Sequence, residues 1–160
     1  MSARDALIRS LPKVRRAGAG DLAQILSIEG RSNPVPWSRQ LIANELQRTE
    51  GVMLVATESR EVIGYIACAG QGDAWHVLNV AVDPGCRARG VGGVLVDAAI
   101  AALDGHPYRR YTLEVRVSNE PAIRLYRSRG FADAGVRPRY YSDNQEDALI
   151  MWREKGQEAS

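Results

Sequence analysis

The chain has 160 residues, of which 45% are hydrophobic and 25% charged, with a formal net charge of +2. That length makes about one domain, able to bury roughly 70% of its unfolded surface. A charge this small excludes a strongly basic nucleic-acid binder, and no run approaches the ~18 uncharged apolar residues of a membrane span.

Residues 1–12 read as a flexible leader ended by Pro12. Arg4, Asp5 and Arg9 interrupt it, so it lacks the apolar core of a signal peptide and a cytoplasmic protein is expected. Residues 13–155 read as a single domain without repeats or linkers. A short strand is predicted at 13–17. Asp21 is placed to cap a helix to about Gly30, with Leu22, Ile25, Leu26 and Ile28 as its apolar stripe. Asn33-Pro34-Val35-Pro36 breaks the chain, and Ser38 caps a second helix to about Arg48. Strands follow at 52–57, 62–69 and 74–82, with turns near Glu58-Ser59-Arg60 and at Gly70-Gln71-Gly72-Asp73.

Residues 91–103 are apolar nearly all round, broken by Asp97, the pattern of a helix buried on more than one side. In a strand at 111–117, Leu113, Val115 and Val117 face one way and Thr112, Glu114 and Arg116 the other. Ser118 or Asn119 caps the next helix, which has Pro121 in its first turn and Gly130 at its end. Strands at 132–136 and 148–153 complete the order β-α-α-β-β-β-α-β-α-β-β. This is an α/β fold: an antiparallel meander feeding a β-α-β crossover, hence a mixed sheet with helices on both faces. The parallel pair is 74–82 with 111–117.

Most of the chemistry sits at 78–94, Leu-Asn-Val-Ala-Val-Asp-Pro-Gly-Cys-Arg-Ala-Arg-Gly-Val-Gly-Gly-Val. A strand ends at Asp83-Pro84, a basic glycine-rich loop follows, and a helix opens. Gly90, Gly92 and Gly93 carry no Cβ, so a ligand can approach the backbone N–H groups of a helix start, with Arg87 and Arg89 beside it. This pattern suits a polyphosphate. No Gly-Lys-Ser/Thr follows, as a Walker loop requires, and the glycine spacing is wrong for a dinucleotide fingerprint. The alternative is a glycine-rich helix start that binds nothing. Cys68, Cys86, His76 and His106 lack zinc-ligand spacing, so no metal is expected, and Cys68, Cys86 and His76 read as structural.

Arg87-x-x-Gly90-x-Gly92 resembles the acetyl-coenzyme A signature of the GNAT N-acetyltransferases, whose element order matches residues 13–153. Closer likeness is carried by Pro36-Trp37-Ser38, Asn79-Val80-Ala81-Val82-Asp83-Pro84 and Leu113-Glu114-Val115-Arg116-x-Ser118-Asn119. Ala122-Ile123-x-Leu125-Tyr126, Gly130-Phe131, Tyr140-Tyr141 and Glu146-Asp147-Ala148-x-Ile150-Met151 extend it. Together these resemble the RimI-type protein N-terminal acetyltransferases. One departure is Ala88, where relatives often carry a second basic residue.

The resemblance implies acetyl-CoA as cosubstrate and a protein N-terminus as partner. That N-terminus is the alanine of a small-subunit ribosomal protein or a broader set, with no direct nucleic-acid or membrane contact. A monomer or weak dimer is expected. By the same resemblance, backbone at Val80, Ala81 and Val82 meets acetyl and pantetheine, and Arg87, Ala88, Arg89, Gly90, Val91, Gly92 and Gly93 hold the pyrophosphate. Asn119 contacts the cofactor, Glu114 is the general base and Tyr126 the general acid, while Trp37, Tyr140 and Tyr141 line the peptide entrance.

Each has an alternative. Glu114 could be a solvated residue paired with Arg116, Asn119 only a helix cap, and Tyr126, Trp37, Tyr140 and Tyr141 packing aromatics. Two other functions also stand: a GNAT enzyme acting on a small amine or a lysine, and a non-catalytic acyl-CoA-binding module. Intact Glu114 and Tyr126 argue against the module, and Tyr140-Tyr141 with Glu-Asp-Ala against the small amine.

The attacking amine must be neutral. At pH 7 this costs roughly 1 kcal/mol for an α-amine of pKa about 7.7–8.0, and nearly 5 for a lysine near 10.4. A single glutamate therefore suffices as base, and no histidine is expected beside it. A tyrosine of unshifted pKa, near 10, can protonate a thiolate of pKa near 8.5 at a cost of only about 2 kcal/mol.

Overall fold

The computed structural model describes residues 12–106, 108 and 110–154, so all of the predicted leader but Pro12 lies outside the described residues. In chain order the elements are β1 (Lys13–Arg16), α1 (Leu22–Ser32), α2 (Arg39–Leu46), β2 (Gly51–Glu58), β3 (Glu61–Gln71) and β4 (Ala74–Val82). α3 (Val91–Leu103), β5 (Arg110–Arg116), α4 (Glu120–Ser128), β6 (Ala132–Arg137) and β7 (Ala148–Glu154) follow. The strands make one seven-stranded sheet in the order β1-β2-β3-β4-β5-β7-β6. Among the described residues β4 and β5 are the one parallel pair, joined through α3 as the predicted crossover.

Side-chain alternation divides the apolar residues between the two faces. On one, Ile25 and Ile28 of α1 and Ile42 of α2 pack on Met53, Val55, Tyr65 and Ala67. On the other, Leu95 and Val96 of α3 and Ile123 and Tyr126 of α4 pack on Ile66, Trp75, Leu113, Val115 and Met151. The apolar pattern of α3 is satisfied by deep burial, with Asp97, Ala101 and Ala102 exposed. Among the described residues no helix is long and apolar enough to cross a membrane.

Two local expectations are corrected. Asp21 does not cap α1 with its side chain. Both its oxygens are taken by the Arg15 guanidinium, each at 2.8 Å, and the Gly18 N–H donates to one of them. A short 3-10 turn, Ala19–Asp21, leads into the helix instead. Val117 does not join Leu113 and Val115 in the core. β5 ends at Arg116, the Val117 N–H goes to the Asp147 carbonyl, and the Val117 side chain is 43% exposed. The predicted caps at Ser38 and Asn119 are present, accepting from the Leu41 and Ala122 N–H groups.

One irregularity positions everything that follows. Opposite β3, Cys68 pairs with Val77 and Ala67 with Asn79, so Leu78 is an extra residue in β4. A bulge of this kind bends and twists its strand. On the other side β4 meets β5 only at Ala74–Arg110, Trp75–Tyr111 and His76–Thr112. Beyond His76 the two strands part, whereas β5 stays paired with β7 along all seven of its residues.

Candidate active site

The opening between β4 and β5 leaves the β4 backbone from 77 to 82 without ladder partners on its β5 side. Buried N–H and C=O groups require partners, and an extended amide-bearing ligand can supply them. At the end of this slot, Asp83 caps the 3-10 turn Pro84–Cys86 by accepting from the Gly85 N–H at 2.9 Å. The Arg31 guanidinium holds the Asp83 carboxylate at 2.9 and 3.2 Å and keeps it below the usual carboxylate range.

The loop then exposes Arg87, Ala88, Arg89 and Gly90. Ala88 and Gly90 have φ of +62° and +79°, turning the backbone into the start of α3. Gly90 occupies the N-cap position and supplies no side-chain acceptor to the first helical amides. Those amides, with the positive end of the helix, form a preset anion site. An uncapped helix start at the mouth of an unpaired strand fits a ligand with a polyphosphate at one end and an amide chain at the other. Arg89 is paired with Glu58.

The glycines divide by role. A Cβ on Gly90 would meet nothing within 4 Å, so this position faces open space. A Cβ on Gly92 would lie 3.0 Å from Leu125 of α4, and one on Gly93 would displace the guanidinium end of Arg129. Gly92 therefore allows α4 to pack closely on α3, a reason the sequence did not disclose.

Glu114 lies on the α1 face of β5 with its side chain 10% exposed. It does not pair with Arg116. His76 Nε2 lies 2.6 Å from its Oε2, and Arg137 Nε lies 3.5 Å from its Oε1. The His76 hydrogen bond draws the Glu114 carboxyl below its ordinary value; burial opposes this, and the charges of His76 and Arg137 reinforce it. His76 Nδ1 in turn meets Gln71 Oε1 at 2.9 Å. Contrary to expectation, a histidine therefore lies beside Glu114. Alternation along 74–82 put His76 on this face, but the parallel register opposite Thr112 was not readable.

Tyr126 is buried on α4, its ring 5.8 Å from that of Phe131. Burial pushes its hydroxyl well above the ordinary tyrosine value. The expectation of an unshifted acid is corrected accordingly: this proton is harder to give up than about 2 kcal/mol implies. Asn119 accepts from the Ala122 N–H at 3.3 Å as the cap of α4.

Two loops border the face that carries Glu114. Trp37 follows α1, and its backbone N–H donates to the buried Glu29 at 2.9 Å. The β6–β7 loop carries Tyr140, 50% exposed, and Tyr141, whose rings meet edge-on at 5.1 Å. Arg116 fastens this loop. It donates to Asp143, Asn144 and Glu146 at 3.0–3.3 Å, and its guanidinium covers the Tyr141 ring at 4.0 Å. Hydrogen bonds from Ser118 bring Glu146 down to about 2, and burial pushes Tyr141 up to about 12. Glu146 thus favours the anchored loop above the ordinary glutamate pKa, and that contribution is lost as pH falls through about 2.

Residues 22–131 match the pattern of the acetyltransferase (GNAT) family. The [ribosomal protein bS18]-alanine N-acetyltransferase of Escherichia coli is 35% identical over 134 residues, covering 82% of this chain and 89% of that protein. An N-alpha-acetyltransferase of Sulfurisphaera tokodaii is 32% identical over 155 residues, covering 87% and 90%. The crystal structure of the ribosomal-protein-S18-alanine N-acetyltransferase from Escherichia coli superposes with a TM-score of 0.83 at 31% identity, covering 91% of this chain and 94% of that one.

Proposed function

The chain belongs to the GNAT acetyltransferase family, and from that premise we propose that it acetylates the α-amine of protein N-termini, with the N-terminal alanine of ribosomal protein bS18 as its substrate. The observation that carries this reading is Glu114, held between His76 and Arg137 on the face bordered by the Trp37 and Tyr140-Tyr141 loops. The likeness to enzymes named for the same reaction supports it.

Acetyl-CoA supplies the acetyl thioester. Residues 87–93 hold its pyrophosphate, and the unpaired β4 backbone at Val80, Ala81 and Val82 takes the acetyl and pantetheine end. A backbone N–H there stabilises the charge developing on the carbonyl oxygen, a contribution of about 3 kcal/mol for one aimed donor. Asn119 adds a cofactor contact at the start of α4. Glu114, ionised beforehand because His76 and Arg137 stabilise its charge, takes the proton of the amine, directly or through water, and is neutral until that proton passes on to solvent. Tyr126 returns a proton to the departing sulfur. Its burial makes it a reluctant acid in water, and a thiolate released beside it in the same dry pocket is correspondingly more basic. Tyr126→Phe is expected to slow turnover without weakening acetyl-CoA binding; an unchanged steady-state rate would return Tyr126 to a packing role.

A newly made ribosomal protein as substrate supports a cytoplasmic location for the enzyme. Tyr140 and Tyr141 clamp the peptide backbone with rings that carry hydroxyl tips. Tyr140→Ala and Tyr141→Ala are expected to raise peptide KM several-fold and leave acetyl-CoA KM nearly unchanged. Folded variants with wild-type peptide kinetics would show that the rings only pack the sheet edge. The reading as a whole is tested with a panel of N-terminal peptides, an N-terminally blocked lysine peptide and small amines, following released thiol. Peptides with a free N-terminal alanine are expected to react best. Preference for the blocked lysine peptide or a small amine would overturn it.

A further inference from the structure

Among the described residues two acidic side chains are buried, Asp21 and Glu29, and of these Glu29 is wholly out of solvent. Its carboxylate collects four donors from separate parts of the chain. Oε1 accepts from the Tyr65 hydroxyl at 2.7 Å and from Asn79 Nδ2 at 2.9 Å. Oε2 accepts from the Trp37 backbone N–H at 2.9 Å and from Asn33 Nδ2 at 3.1 Å. Asn79 Nδ2 also lies 2.7 Å from the Tyr65 oxygen, which binds the set together. All four donors are neutral, and the pattern suits a group that only accepts.

The two oxygens hold different things. Oε1 holds Asn79, the residue after the extra Leu78 that accompanies the opening of β4 from β5. Oε2 holds the two ends of the 33–37 segment that presents Trp37; within it the Val35 N–H returns to Asn33 Oδ1 at 3.1 Å. A buried carboxylate without a cation is a poor way to gain stability, because apolar packing does so without desolvating a charge. It is an effective way to fix a loop in one place. We propose that Glu29 is a positioning residue that locks the Trp37 wall to the opened strand and so enforces selection of an N-terminal α-amine over a lysine side chain. This inference rests on the proposed N-terminal acetyltransferase reading.

Glu29→Gln tests it. The carboxamide offers one acceptor oxygen and sets its NH2 against the donors of the other end, so one half of the clamp is lost. The variant is expected to raise peptide KM about tenfold, the loss of a hydrogen bond to a charged group, with acetyl-CoA KM staying within about twofold. The ratio of kcat/KM for a blocked lysine peptide to that for an alanine N-terminal peptide should also rise, by about fivefold or more. Asn33→Ala removes one donor to Glu29 and the acceptor of the Val35 N–H, both within the loop, and should shift peptide KM and selectivity the same way by about threefold. It carries the test if Glu29→Gln does not fold. Wild-type peptide KM and selectivity in the folded variants, or an equal rise in both KM values, would overturn the inference while leaving the function intact. Failure of the wild-type enzyme to prefer N-terminal peptides would overturn both.

Discussion

Replacing Glu114 with Gln is expected to lower kcat by about 10²–10⁴-fold, the usual worth of a positioned general base, with acetyl-CoA affinity preserved. The substitution keeps the shape of the side chain and a hydrogen bond to His76, so the loss reports proton acceptance rather than packing. The pH dependence follows from the direction of the shift. The Glu114 carboxyl sits below its ordinary value, so it is already ionised throughout the neutral range. Wild-type activity should therefore rise through the pKa of the substrate α-amine, about 7.7–8.0, and Glu114 should not titrate in that range. In Glu114→Gln, raising the pH should recover part of the loss, because more amine arrives neutral. Steady-state rates from pH 6 to 9 check this. Wild-type turnover in the variant at pH 7 would move the base elsewhere.

The second large effect is expected at the phosphate cradle, where Gly90→Val should abolish acetyl-CoA binding as measured by calorimetry. Gly90 has φ of +79°, a conformation that costs an ordinary L-residue roughly 1–2 kcal/mol and a β-branched one more. Its absent Cβ points into open space, so the variant can fold. The new side chain would then stand where the helix amides face the pyrophosphate. Gly92→Val and Gly93→Val make poorer tests, because Leu125 and Arg129 already occupy the space beside them. Unchanged affinity in folded Gly90→Val protein would refute the cradle.

The sequence discloses those parts of this molecule that depend on neighbours along the chain. Strand alternation, the caps at Ser38 and Asn119, the apolar helix 91–103 and the glycine loop after Asp83-Pro84 are local signals, and the structure contains all of them. The element order predicts the mixed sheet and its crossover, and the family resemblance adds the expectation of acetyl-CoA. What stayed hidden depends on residues far apart in sequence. Asp21 looked like a cap because nothing local revealed that Arg15 would claim both its oxygens. His76 and Glu114 are 38 positions apart and meet only through the parallel register. Nothing beside Glu29 in the sequence singles it out, because its partners lie at 33, 37, 65 and 79. Arg116 looked like a partner for Glu114 two residues away, and the β6–β7 loop outcompetes it with three side chains.

Selectivity for the α-amine can be measured with one peptide. A synthetic peptide with a free N-terminal alanine and an internal lysine is incubated with the enzyme and acetyl-CoA, and the acetyl group is located by fragment-ion mass spectrometry. A single acetyl group is expected on the alanine nitrogen, with the lysine unmodified at pH 7. Acetyl on the lysine side chain, or an unmodified peptide with enzyme that binds acetyl-CoA, would contradict it.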